Sequence, residues 1–168
     1  MYIGQKKGNF TIKTVKGKET IVNGESFYKI SNSDFMRPFF MSIVSNSDHW
    51  MFISSNGSLS AGRKNSNYAL FPYYTDDKIT EAAEITGTKS IFLVTVNDKK
   101  YLWEPFSKKY EGIYKFSRNL YKNVLGNKVI FEEINHDLNV AFTYEWNSSE
   151  KYGFVRKSSF TNQNDAQI

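Results

Sequence analysis

Apolar and polar positions alternate with a period of two along most of the chain, and turn residues interrupt the alternation about every 8–12 residues. The clearest case is the stretch where Leu138, Val140, Phe142, Tyr144 and Trp146 alternate with Asn139, Ala141, Thr143 and Glu145. That spacing places one set on one face of a strand, as in antiparallel sheets with a single buried face. Residues 129–134 precede it, and Asn135-His136-Asp137 closes the two into a hairpin. Residues 91–96 and 101–103, joined through 97–100, predict another. At the start of the chain, strands at 10–15, 19–22 and 26–30 are expected, with turns at Lys16-Gly17-Lys18 and Asn23-Gly24. Residues 39–44 form a near-continuous apolar run, typical of a strand buried on both faces. Next, Trp50 and Phe52 share one strand face and Met51 and Ile53 the other, so this strand is expected to be central. Asn56-Gly57 predicts a two-residue hairpin turn. Its return strand, 59–64, contains Ala61 and Gly62 and leaves room for another segment to lie close. Residues 112–116 and 152–158 are further strands, followed by a polar tail from Asn162.

One helix is expected, of one or two turns within 76–86, where Ile79, Ala82, Ala83 and Thr86 recur at helical spacing. Thr75 is placed to cap its start and Gly87 to end it. Repeated short strands with turn chemistry between them define the fold class as an antiparallel β-sandwich or barrel, in one domain over residues 1–168. No internal repeat or linker is visible.

Composition narrows the function classes. The 17% aromatic content, with 14 Phe and 11 Tyr, favours pleated sheets over helices. Net charge is +5, yet the lysines are scattered among acids, whereas nucleic-acid binders gather charge on one face. A nucleic-acid partner is therefore not expected. The absence of cysteine excludes disulfides, thiolate metal sites and a cysteine nucleophile. His49 and His136 are far apart and have no metal-ligand spacing. No apolar run approaches the ~20 residues of a membrane-spanning helix. The N-terminus lacks the apolar core of a secretory signal, so a cytoplasmic location and no membrane partner are expected.

Candidate chemistry gathers in 49–78. Trp50, Tyr73, Tyr74, Trp103 and Trp146 could stack on sugar rings, although Trp146 belongs to the core, Arg63 could offer a planar fork of donors, and Asp76 and Asp77 could accept hydroxyls. Each has a structural alternative. Aromatic residues at alternating strand positions are mostly core, Arg63-Lys64 suits a strand end, and Asp76-Asp77 suits a helix start. His49 suits a general base or a structural hydrogen bond. Adjacent carboxylates on a strand point to opposite faces, so neither Asp76-Asp77 nor Glu132-Glu133 makes a cooperating dyad, and the glutamates are expected at the surface. No nucleophile triad, phosphate loop or metal motif is present, and no cofactor is expected.

An ordered set of segments resembles the N-terminal β-sandwich domain of cellobiose-phosphorylase-like proteins, large carbohydrate-active enzymes with an (α/α) barrel. Its carriers are Phe40-Met41-Ser42-Ile43-Val44-Ser45-Asn46, Phe52-Ile53-Ser54-Ser55-Asn56-Gly57-Ser58-Leu59-Ser60-Ala61-Gly62-Arg63 and Phe71-Pro72-Tyr73-Tyr74-Thr75-Asp76-Asp77. Ile91 to Asp98 with Tyr101-Leu102-Trp103-Glu104-Pro105, then 131–146 and Phe154-Val155-Arg156-Lys157, extend it over about Phe27 to Thr161. The resemblance implies a non-catalytic module packed on a catalytic barrel and shaping its sugar site. A stand-alone sugar-binding module and an assembly domain pairing through sheet edges are the alternatives. The family's catalytic carboxylate belongs to the barrel, and its sandwich adds strands beyond the segment at Phe154. Unpaired edges are therefore expected, and with them a second copy or another polypeptide as partner, unless the fold closes differently.

Overall fold

A computed structural model describes residues 2–3, 6–7, 12–71, 76–86 and 88–165. The strands are β1 (Tyr2–Ile3), β2 (Lys6–Lys7), β3 (Lys16–Val22), β4 (Glu25–Ser31), β5 (Phe40–Ile43), β6 (His49–Ser54) and β7 (Leu59–Arg63). They continue with β8 (Phe92–Val96), β9 (Lys99–Trp103), β10 (Phe116–Asn123), β11 (Lys128–Asn135), β12 (Val140–Ser149) and β13 (Gly153–Asn162). Two single-turn helices, α1 (Asp76–Ile79) and α2 (Ala83–Thr86), stand where the helical spacing falls. Thr75 and Gly87, expected as caps, lie outside the described residues.

The fold is all-β and antiparallel. A six-stranded sheet runs β13-β12-β11-β10-β4-β3, a three-stranded sheet β5-β6-β7, and two hairpins, β8-β9 and β1-β2, complete it. The core lies between the two larger sheets. Met51, Ile53, Leu59 and Ala61 of the small sheet meet Leu120, Val129, Phe131, Val140, Phe142, Tyr144 and Trp146 of the large one. The alternation along β12 is the predicted one, and β6 is central with Met51 and Ile53 facing inward. Gly62 in β7 is needed for close approach. A Cβ there would stand 2.5 Å from the Trp50 ring and 2.7 Å from the Tyr68 carbonyl, where residue 69 bridges to Gly62.

Four expectations are corrected. Lys16-Gly17-Lys18 is strand, not turn, because Gly17 is bare to admit the Tyr28 ring of the partner strand, and residues 12–15 before it are not strand. The apolar run at 39–44 is an edge strand, with Phe40 42% exposed, rather than one buried on both faces. The expected strand at 112–116 is loop up to Lys115, and the real strand is β10, a central member of the large sheet. The β6-β7 turn is a three-residue loop closed by Ser54 N to Ser58 O (2.8 Å) and Gly57 N to Ser54 O (2.9 Å), with Gly57 at φ 89°. In that loop type a glycine takes the left-handed position after a tight turn.

Candidate functional site

A cavity of about 280 Å³ lies at one end of the sandwich, under the β6-β7 loop. Its wall is assembled from Asp34, the 55–57 loop, Glu84 at α2, Thr88-Lys89, the 104–108 segment, Glu111, and Arg118 of β10. Phe131 and Tyr144 line it too, with ring centroids 4.8 Å apart and planes within 13°. Phe106 stands edge-on to Tyr144 at 5.3 Å.

The 104–107 segment owes its shape to Glu133. Pro105 and Phe106 are the inner residues of a turn closed by Ser107 N donating to Glu104 O, and Phe106 takes φ 65°, a position that ordinarily calls for glycine. Holding a bulky residue there costs roughly 1–3 kcal/mol, so the surroundings must impose it. The Phe106 N–H donates to Glu133 Oε2 at 2.6 Å, and the Phe106 ring packs into the aromatic cluster. Glu133 is fully buried and also accepts from Arg118 Nε (2.7 Å), Trp103 Nε1 (3.0 Å) and Tyr114 O–H (2.6 Å). Four donors on one carboxylate offset its desolvation. The expectation that Glu133 sits at the surface is therefore overturned: it shares the inward parity of Val129 and Phe131. Burial and the Glu133 charge push the Tyr114 phenol well above its ordinary range.

Arg118 bridges this hub to the cavity. Its Nη2 donates to Ser107 O (3.2 Å), and its guanidinium lies 4.4 Å over the Phe116 ring. Lys89 is held between Glu84 (2.9 Å) and Glu104 (3.2 Å). Its hydrogen bond lowers the Glu84 carboxyl, while the same bond and that to Glu104 raise the Lys89 ammonium. Removal of water around Asp34 pushes its carboxyl up. With Lys89 and Arg118 already paired, acceptor oxygens outnumber free cations on this wall. Such a surface takes hydroxyl donors and opposes anions.

Tyr144 also lines this cavity. It is 2% exposed, and its hydroxyl stands 2.7 Å from where a Cβ on Gly57 would be. Burial raises this phenol strongly, so it stays a neutral donor.

Of the residues singled out from the sequence, Trp50, Arg63 and His49 lie elsewhere. Trp50 is on the outer face of the small sheet, 5.6 Å from the Phe52 ring, and Arg63 ends β7 opposite His49, exposed. Both are at the far end of the hairpin from the 55–57 loop. His49 Nδ1 lies 2.5 Å from the Ser47 hydroxyl, the structural hydrogen bond that a strand histidine suggested. Tyr73 and Tyr74 lie outside the described residues. Asp76 and Asp77 open α1 in their backbone. Sequence reasoning missed Asp34, Glu84, Lys89, Phe106, Arg118, Glu133 and Tyr144. Parity along β11 and β12 was the signal for Glu133 and Tyr144; the others are brought in from separate loops and strands.

The sequence matches no protein-family model and no curated protein. Fold and cavity thus define the class reached here, an all-β, antiparallel, sandwich-like domain. Among the described residues no helix is long and apolar enough to cross a membrane.

Proposed function

We propose that the chain is a non-catalytic β-sandwich module of a carbohydrate-active protein, working beside a catalytic barrel and holding a sugar ring in the cavity under the 55–57 loop. The observation that carries this reading is the cavity itself, which brings the Tyr144 side chain and an aromatic cluster together with a wall rich in carboxylates and amides. A hydrogen bond from the Tyr144 hydroxyl to a ligand would contribute roughly 0.5–1.5 kcal/mol. Carboxylates and amides on the wall suit further hydroxyls, while the Phe131, Tyr144 and Phe106 rings suit the apolar CH face of a sugar. The cavity's 280 Å³ falls at the low end of the roughly 300–1,000 Å³ of small-molecule sites, which fits a single ring better than an oligomer. The resemblance of the sequence segments points to the same class.

Calorimetric titration with glucose, cellobiose and longer β-glucans tests it. Binding at about millimolar Kd or tighter is expected, weakened about fivefold by Tyr144→Phe, which keeps the ring and deletes one hydrogen bond. Trp50→Ala should leave affinity unchanged. Silence across neutral sugars would overturn the proposal. Loss on Trp50→Ala with retention in Tyr144→Phe would move the site to the Trp50–Arg63 end. Turnover of any of these sugars by the chain alone would refute its non-catalytic character.

A further inference from the structure

The large sheet ends on β13, which pairs with β12 through ten consecutive one-to-one partners, from Val140–Asn162 to Ser149–Gly153, and among the described residues has a strand on that side only. Natural sheets guard such edges with prolines, bulges, short strands or inward charges. β13 is ten residues long with no proline and no bulge, its charges are confined to Arg156 and Lys157, and from Lys157 onward it is exposed. The opposite edge, β3, is shorter and carries Lys16, Lys18 and Glu19.

We propose that β13 is a self-association edge, pairing antiparallel with β13 of a second copy about a two-fold axis normal to the sheet. That axis keeps each face on its own side, so opposed residues must have the same parity. Inner-face residues are Phe154, Arg156, Ser158 and Phe160, which oppose the core-facing positions of β12 where they pair with it. Two registers centre near the middle of the strand. The one that opposes Lys157 to its own copy sets like charges face to face and is disfavoured. The one centred on Ser158 sets Ser158 against itself, Arg156 against Phe160, Lys157 against Ser159, and Val155 against Thr161. That register contains no opposed like charges. It sets Arg156, whose guanidinium also donates to Ser90 and lies 5.0 Å from the Tyr144 ring, beside Phe160 twice, and covers Phe160, which the single chain leaves 40% exposed. Two six-stranded sheets would become one continuous sheet, an isologous contact that closes after two copies.

The chain has no cysteine, so Ser158→Cys introduces a single thiol. In the proposed register its two copies meet on the axis with Cα atoms about 4.5–5.5 Å apart, within disulfide reach. Mild oxidation should link most of this variant into covalent dimers. Val124→Cys, at a 75%-exposed position on the β10-β11 turn, should link far more slowly. Ser158→Lys opposes two ammonium groups on the axis. It should weaken dimerisation roughly tenfold or more by sedimentation equilibrium, with the thermal melt of the monomer unchanged. The proposal is overturned if the chain sediments as a monomer at high micromolar concentration. It is also overturned if Ser158→Cys links no faster than Val124→Cys, or if the dimer survives Ser158→Lys.

Discussion

Replacing Glu133 with Gln tests whether the buried carboxylate organises this end of the sandwich. The substitution preserves shape and removes the charge. Glu133 Oε1 accepts from Trp103 and Tyr114, and Oε2 from Phe106 N and Arg118. Whichever way the amide turns, its NH₂ faces two donors, and Arg118 loses its carboxylate while only 12% exposed. Breaking a buried pair costs about 3–5 kcal/mol. Glu111, 3.8 Å from Arg118 Nη1, compensates in part and places the expectation at the lower end, near 3 kcal/mol. With a urea slope of about 2 kcal/mol/M for a domain this size, the midpoint should fall by about 1.5 M. With the NH₂ turned toward Phe106 and Arg118 the Phe106 amide loses its acceptor, and resonances of 104–108 should then shift before global unfolding. The double variant Glu133→Gln/Arg118→Met removes both charges and should recover part of the loss. A coupling energy of about 1.5 kcal/mol or more is expected from the cycle, since the two groups touch. A single variant within 1 kcal/mol of the parent, or two additive singles, would refute the assignment of Glu133 as the hub.

Gly62→Ala should cost about 1–3 kcal/mol in chemical denaturation, because two of the atoms its Cβ meets under 3.0 Å are backbone, at Tyr68 and Ala69, and cannot swing away. A neutral result would mean that the 68–69 segment does not pack on β7. Lys122 gives a pH signature. Its ammonium donates to the Ser42 and Gly126 carbonyls, and burial pushes it down to about 8. The unfolded chain therefore binds more protons between pH 8 and about 10.5, so this residue makes stability rise with pH across that window and adds no pH dependence below it. Between pH 8 and 10 the parent should gain stability relative to Lys122→Met. A constant difference would remove Lys122 as the cause. The tyrosines, whose raised phenols lower stability as they titrate in the unfolded chain near pH 10, are common to both proteins and cancel in the comparison.

What was legible in the sequence was whatever local periodicity encodes. The β11-β12 and β8-β9 hairpins, the central β6 and the thin β7 all follow from alternation and turn residues. Asn97 and Asp98 both take positive φ, as a tight two-residue turn requires. β10 was not legible because its alternation is polar on both faces. Arg118 and Lys122 point inward, and Asn119 and Asn123 lie on the other face yet are buried. These groups are tolerated only because Glu133, Ser42 O, Glu132 and Asn127 meet them, and three of those four come from other strands or sheets. Gly17 misled for a related reason: glycine serves close approach as well as turns, and only the Tyr28 ring distinguishes the two.

The cavity was hidden differently. No segment carries more than a part of it, so no motif announces it, whereas the conspicuous Trp50 and Arg63 stand at the far end of the hairpin. One inference was nevertheless available. The argument that Glu132 and Glu133 point to opposite faces is correct, but its consequence is that one of them must share the face of Val129 and Phe131. A carboxylate on a core face cannot stay charged without donors. In a chain with three tryptophans, two candidate partner loops and an arginine on an otherwise unassigned stretch, such a position predicts convergence of donors, and with it a fixed loop. Trp103, Phe106, Tyr114 and Arg118 are those donors. The loop they hold is the wall of the cavity, so the misplaced glutamate was the sequence's strongest pointer to the site.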